Sequence, residues 1–369
     1  MMRKHILLSA AFLLLSTAVP MPVAAQNIIP QPEHISLSRG QFKLNKGLKI
    51  VTNLTGSDFK VLNQYTSEVM NHPLAYAKNP SQQAVFRLIC KGTAQQAAQA
   101  MDSVRLQGYE LEVTPKGITI QSLTPTGLFY GLQTVRQLEK DGKIACVKVK
   151  DTPRFAYRGL MIDCSRHFWT KEFLKKQLDA MAYFKLDRFH WHLTDGGGWR
   201  MEVKQYPRLT AETAYRTQSD WTCWWMDKDR RYCPAGTPGA YGGYYTQEDI
   251  KDIVRYAAAR HIEIIPEIEM PGHSDEVVFA YPELSCTGKP YTQSDLCVGK
   301  EATYTFMENV LKEVMELFPS KYIHIGGDEA ERRTWKTCPD CQRMMKENHL
   351  KDVAELQSHF THRMEEFLN

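Results

Sequence analysis

From about residue 151 onward, short apolar runs alternate with stripes of apolar residues at helical spacing. Gly159 to Asp163 predicts a strand that ends in an acid, and Thr170 caps a helix carrying Leu174, Leu178 and Met181 on one face. Arg188 to Leu193 predicts the next strand. Thr194-Asp195 and a long aromatic, glycine-rich excursion follow, until Thr246, with Asp249 three residues on, opens a helix bearing Ile250, Ile253, Val254 and Ala257. A third strand over Ile262 to Ile268 leads through Met270-Pro271-Gly272-His273 to a helix with Phe306, Val310, Leu311, Val314 and Leu317. The fourth run, Tyr322 to Ile325, meets Gly326-Gly327 and then Asp328-Glu329, and Val353, Leu356, Phe360 and Met364 mark its helix. Four successive βα units require a parallel sheet, either doubly wound or part of a barrel.

The preceding stretch, residues 26–150, reads as a small α/β accessory domain. Tyr109, Leu111 and Val113 alternate with polar residues and pass through Pro115-Lys116-Gly117 into Ile118 and Ile120, a hairpin signal. Gly127 to Leu138 sets Leu128, Leu132, Val135 and Leu138 on one helical face. No acid pair or histidine cluster in this part is placed for chemistry, so its expected role is support. Asp151-Thr-Pro-Arg154 is the junction to the second domain, residues 151–369. Residues 1–25 have the pattern of a secretory signal: Arg3, Lys4 and His5 precede the apolar run Ile6 to Leu15, and Val23-Ala24-Ala25 offers a cleavage site. The expectation is export to the periplasm or the cell exterior. No run is long enough for a membrane span.

Charge narrows the partners. Lys plus Arg number 46 and Asp plus Glu 42, with no basic block, so nucleic acid is not an expected partner. All seven tryptophans lie at or after Trp169, which places flat surfaces for stacking in the second domain. Asp163, Asp195, His273 and the pair Asp328-Glu329 each fall where a predicted strand gives way to its loop, the face on which α/β and barrel sites are built. Each alone has a bland explanation as a cap, a salt bridge or a turn. Their recurrence across four units points instead to one acidic rim. No phosphate-binding glycine motif follows the first strand, which weighs against nucleotides.

Four ordered motifs carry a resemblance: Arg158-Gly-Leu-Met-Ile-Asp-Cys-Ser-Arg-His-Phe168, Phe189-His-Trp-His-Leu-Thr-Asp195 with Trp199-Arg200, Pro266-Glu-Ile-Glu-Met-Pro-Gly-His273, and His324-Ile-Gly-Gly-Asp-Glu329. Together they resemble family 20 glycoside hydrolases, the β-N-acetylhexosaminidases. The resemblance implies a (β/α)8 barrel behind a small α/β domain. It also implies retaining removal of terminal β-linked N-acetylglucosamine or N-acetylgalactosamine from a glycan or chitooligosaccharide, with no cofactor or metal. In that mechanism the substrate's own acetamido oxygen attacks the anomeric carbon, an exception to the usual pair of opposed carboxylates. By resemblance, Glu329 is the acid and then the base, Asp328 orients the acetamido group, His273 and Asp195 form a supporting relay, Arg158 binds the sugar's outer hydroxyls, Asp163 is a further structural or substrate-side carboxylate, and Trp199 serves the substrate. The strand pattern puts Arg158 at the far end of its strand, so its role rests on the resemblance alone.

Gly196-Gly197 and Glu269 depart from residues common in the family but leave the principal groups intact. The family continues with four more βα units, whereas this sequence stops at Asn369 in the fourth helix, so the expectation is a fragment that is poorly stable and nearly inactive alone. Two rival classes remain. His190-x-His192 puts two rings on one face of a strand and, with Asp328, offers a metal-dependent hydrolase. A non-catalytic carbohydrate-binding fragment would use Trp221, Trp224 and Trp225, which could equally be the core of their own loop. Nine cysteines permit disulfides, with Cys286–Cys297 and Cys223–Cys233 as candidate pairs. Cys338-Pro-Asp-Cys341 has zinc-site spacing, but no second pair follows it, so a loop disulfide is expected there.

Overall fold

The computed structural model describes residues 27–45, 48–80 and 85–369. The export signal expected over residues 1–25 lies outside the described residues. The N-terminal unit is a seven-stranded mixed sheet in the order His34–Lys43, Lys143–Asp151, Tyr109–Thr114, Gly117–Ser122, Phe86–Cys90, Ile50–Thr52 and Leu74–Tyr76. Its hairpin forms as the alternation predicts: Tyr109, Leu111 and Val113 are buried, Glu110 and Glu112 are exposed, and Thr114 pairs with Gly117 across the turn.

Helix Pro125–Leu138 joins the two units. Thr124 caps it by accepting from the Gly127 amide, and its residues are buried on nearly every side, as expected for a helix held between two layers. Close approach to the sheet requires glycine at 131, where an added Cβ would lie 2.5 Å from Ile120 Cγ2. On its other side Phe129 packs against the His261 ring at 4.8 Å, and Thr126 Oγ1 meets His261 Nδ1 at 3.1 Å.

The second unit has a parallel sheet in the order Glu263–Glu267, Arg188–His192, Gly159–Asp163. Register levels the strand ends: Asp163, His192 and Glu267 are direct neighbours. Helices Lys171–Tyr183 and Gln247–Ala258 begin at the expected caps, Thr170 and the Thr246–Asp249 capping box. The expected fourth strand is reduced to one parallel bridge between His324 and Glu267. The His324 amide donates to Pro266 O at 2.9 Å and the Ile268 amide to His324 O at 3.0 Å. Beyond it Gly326 and Gly327 turn left-handed, with φ of +64° and +104°, which ends regular pairing. Among the described residues no helix is long and apolar enough to cross a membrane.

Arg158 lies at the opposite end of the sheet from the rim. It pairs with Asp187 at 3.0 Å and donates to Lys185 O, Gln107 Oε1 and the Tyr130 hydroxyl at 2.8, 2.8 and 2.9 Å, fastening the two units together. The substrate role that the resemblance gave it is therefore corrected to a structural one. Asp187 is fully buried. Arg158→Ala is expected to cost about 1.5–3 kcal/mol in urea unfolding, because it removes charged hydrogen bonds between the units and leaves Asp187 with Arg188 at 3.7 Å as its ion-pair partner; an arginine serving only substrate would leave the unfolding midpoint unchanged.

Candidate active site at the strand ends

Each strand end delivers one part of the rim. At the first, Asp163 Oδ1 accepts the backbone amides of Ser165 and Arg166, both at 2.9 Å, folding the chain into a tight turn. That turn presents Arg166, whose Nη1 lies 3.1 Å from Asp163 Oδ2 and whose Nη2 lies 2.6 Å from Asp195 Oδ2. Asp195 follows the second strand and is 1% exposed. It faces His192 Nε2 and His273 Nδ1, each at 3.5 Å. Burial pushes the Asp195 carboxyl up, but His192, His273 and Arg166 together outweigh it and hold it below its ordinary value.

The third strand end supplies Glu267, and around it gather His190 at 2.6 Å, His192 at 3.2 Å and His324 at 2.8 Å. Burial raises this carboxyl, yet the three histidines prevail and hold it well below the carboxylate range. His192 sits between acceptors on both ring nitrogens, Glu267 Oε2 and Thr194 O, the latter at 2.9 Å. Both nitrogens must donate. Its pKa is accordingly raised to about 10, against burial, by Asp195 and Glu267. His190 and His192 do share a strand face, but they face Glu267. Asp328 clusters with His273 and Glu329 instead, so the metal site imagined from His190, His192 and Asp328 does not assemble.

His273, at φ +50°, bridges the second strand end to the fourth. Its Nε2 lies 3.6 Å from Asp328 Oδ2 and 3.4 Å from Glu329 Oε2. Glu329 itself has φ +48°, and at Gly326 a Cβ would fall 1.7 Å from Glu269 Oε2. Such backbone, rare outside glycine, is what turns two adjacent carboxylates toward one ring. Glu269 is 2% exposed, and burial first, then the charges of Glu267 and Asp328, push its carboxyl up to about 7.

Trp199 does not reach the rim. It is fully buried, and its indole N–H donates to Met201 O, so its expected substrate contact is corrected to a core role. Trp224 is likewise buried, while Trp221 and Trp225 keep partly open faces, and Trp221 lies 5.9 Å from the Arg166 guanidinium. Arg166 is the residue that sequence reasoning missed. The signal was present: it stands three residues beyond Asp163, at the rim position where the other candidates were sought.

Residues 155–369 match the catalytic domain of glycosyl hydrolase family 20, and residues 25–152 match domain 2 of the same family. The chain belongs to glycosyl hydrolase family 20. It is 42% identical over 281 residues to a beta-hexosaminidase of Porphyromonas gingivalis, covering 71% of this chain and 34% of that protein. The crystal structure of beta-N-acetylhexosaminidase from Bacteroides fragilis superposes with a TM-score of 0.75 at 32% identity, over 93% of this chain and 64% of that one. For the GH20 exo beta-N-acetylglucosaminidase of Vibrio harveyi the TM-score is 0.76 at 30% identity, over 93% and 53%. This chain thus spans between about a third and two thirds of the length of these relatives. The family fold is an N-terminal domain followed by a barrel-type catalytic domain, to which the two units correspond.

Hydrogen bonding to Asp195, against burial, raises His273 to about 9. A raised histidine pKa stabilises the fold fully below the unfolded value near 6.5, and that contribution is lost as pH rises through about 9. Asp195→Asn is expected to return the His273 titration toward 6.5, read by NMR of the ring protons. An unchanged titration would remove Asp195 as its cause.

Proposed function

We propose that the protein is a retaining exo-acting β-N-acetylhexosaminidase that uses the substrate's 2-acetamido oxygen as nucleophile. The observation that carries this reading is the continuous line from Arg166 through Asp195 and His273 to Asp328 and Glu329. Two adjacent carboxylates share one histidine, an arrangement that suits one acid/base beside a group that orients the substrate's own nucleophile. Glu329 protonates the leaving oxygen and then takes a proton from the incoming water. Asp328 accepts the acetamido N–H and offsets the positive charge of the oxazolinium intermediate. His273, held by Asp195, sits where it can tune both.

Arg166 takes the hydroxyl-binding role that the resemblance assigned to Arg158. It is anchored on one side by Asp163 and Asp195 and keeps 29% of its side chain exposed at the rim. The terminal amino sugar of a glycan or chitooligosaccharide is the substrate class. The basic and apolar pattern of residues 3–15 supports export, placing the reaction in the periplasm or outside the cell.

The test is nitrophenol release from 4-nitrophenyl N-acetyl-β-D-glucosaminide. Glu329→Gln is expected to lower kcat by about 10²–10⁴-fold, the usual contribution of a positioned acid and base. The loss should be larger for alkyl than for nitrophenyl leaving groups, which need less protonation. Asp328→Asn should also lower kcat, but equally for both leaving groups. Full activity in the Glu329 variant would refute the assignment.

A further inference from the structure

Away from the rim chemistry, four cysteines converge. Sγ of Cys297 lies 3.6 Å from that of Cys338 and 3.7 Å from that of Cys341, and Cys286 Sγ lies 3.8 Å from Cys341 Sγ. All four sulfurs fall within 4.8 Å of one another, three of the four residues are buried, and none forms a disulfide. A tetrahedron of sulfurs around zinc, with Zn–S about 2.3 Å, has edges of about 3.8 Å. We infer that Cys286, Cys297, Cys338 and Cys341 bind one zinc ion as a closed, four-thiolate structural site.

The expectation of a Cys286–Cys297 disulfide and a separate Cys338–Cys341 loop bridge is thereby replaced. The second pair that the Cys-x-x-Cys spacing lacked downstream lies upstream instead, brought in by the fold. Cys338 is the N-cap of helix Pro339–Glu347, so the positive end of the helix dipole faces these thiolates. Gly299 lets the loop close over the site, since a Cβ there would lie 2.2 Å from the Cys341 amide nitrogen. Binding replaces four thiol protons with Zn²⁺ and releases them to solvent; no oxidant is required. With four protein ligands no coordination position stays open, so the ion does not take part in hydrolysis.

Its position explains what the ion does. Cys286 and Cys297 lie in the connection between the third strand and helix Glu301–Leu317, and Cys338 and Cys341 stand at the start of helix Pro339–Glu347, where the segment leaving the fourth strand through Glu329 ends. The two loops already touch near the site. Asp295 accepts the amides of Glu331 at 3.2 Å and Arg332 at 2.7 Å, Gln293 accepts that of Thr334 at 2.9 Å, and the Trp335 indole donates to Leu296 O at 2.9 Å. The ion staples the loop that carries Asp328 and Glu329 to the loop that follows His273.

The test is elemental analysis of the purified protein together with maleimide labelling and intact-mass measurement. One zinc per chain is expected, with Cys286, Cys297, Cys338 and Cys341 becoming labelled only after a chelator is added, while the buried Cys146, Cys164 and Cys233 outside the cluster do not respond to it. Cobalt exchanged into the site should show thiolate-to-cobalt charge-transfer bands and a tetrahedral spectrum. Cys341→Ser should lose the ion, while Cys223→Ser, an exposed cysteine outside the cluster, should retain it. Should Cys341→Ser fail to fold, metal content and chelator-dependent labelling of the unaltered protein still decide the matter. Metal-free protein with four freely reactive thiols, or one lighter by four hydrogens as two disulfides require, would overturn the inference.

Discussion

The buried carboxylate of Asp195 is the node on which the rim depends. An ionised group removed from water is tolerated only where partners replace its hydration. Here Arg166, His192 and His273 do so from three different loops or strands. One acid thus ties together groups from three separate segments, and Asp163 and Glu267 hold two of them from a second side. A second buried acid, Glu267, repeats the device with His190, His192 and His324, and His192 belongs to both sets. The fourth segment, which contributes little regular pairing, is tied in through His324.

Adjacent carboxylates could not act together in regular structure, since a strand would send them to opposite faces. The chain resolves this with left-handed backbone at Gly326, Gly327 and Glu329, and His273 meets them from a left-handed position of its own. Local strain of this kind persists where surrounding contacts over-determine it. The bridge to Glu267, the packing of Gly326 on Glu269 and the contacts of Asp295 and Trp335 with the following loop supply that determination.

The repeating strand and helix pattern was legible in the sequence because caps such as Thr170 and Thr246 and stripes such as Leu174–Leu178–Met181 are local signals. Placement at strand ends was legible for the same reason, and the sequence alone groups Asp195, His273, Asp328 and Glu329 on one rim. Partner choice was not. Arg158 and Arg166 share one motif, and only strand direction shows that the former faces a buried Asp187 while the latter faces the rim. Trp199 sits beside rim residues in sequence, yet its burial depends on packing from the excursion after Asp195. The four-cysteine cluster joins residues up to 55 positions apart, a distance at which spacing rules carry no signal.

The central claim, that the substrate's own acetamido group supplies the nucleophile beside Asp328, is tested most directly by aryl glycosides whose N-acetyl group is progressively fluorinated. Fluorination weakens the carbonyl oxygen as a nucleophile while scarcely changing its size. The account predicts that kcat falls steeply with each added fluorine. A flat response across the series would contradict it and would require a nucleophile from the protein.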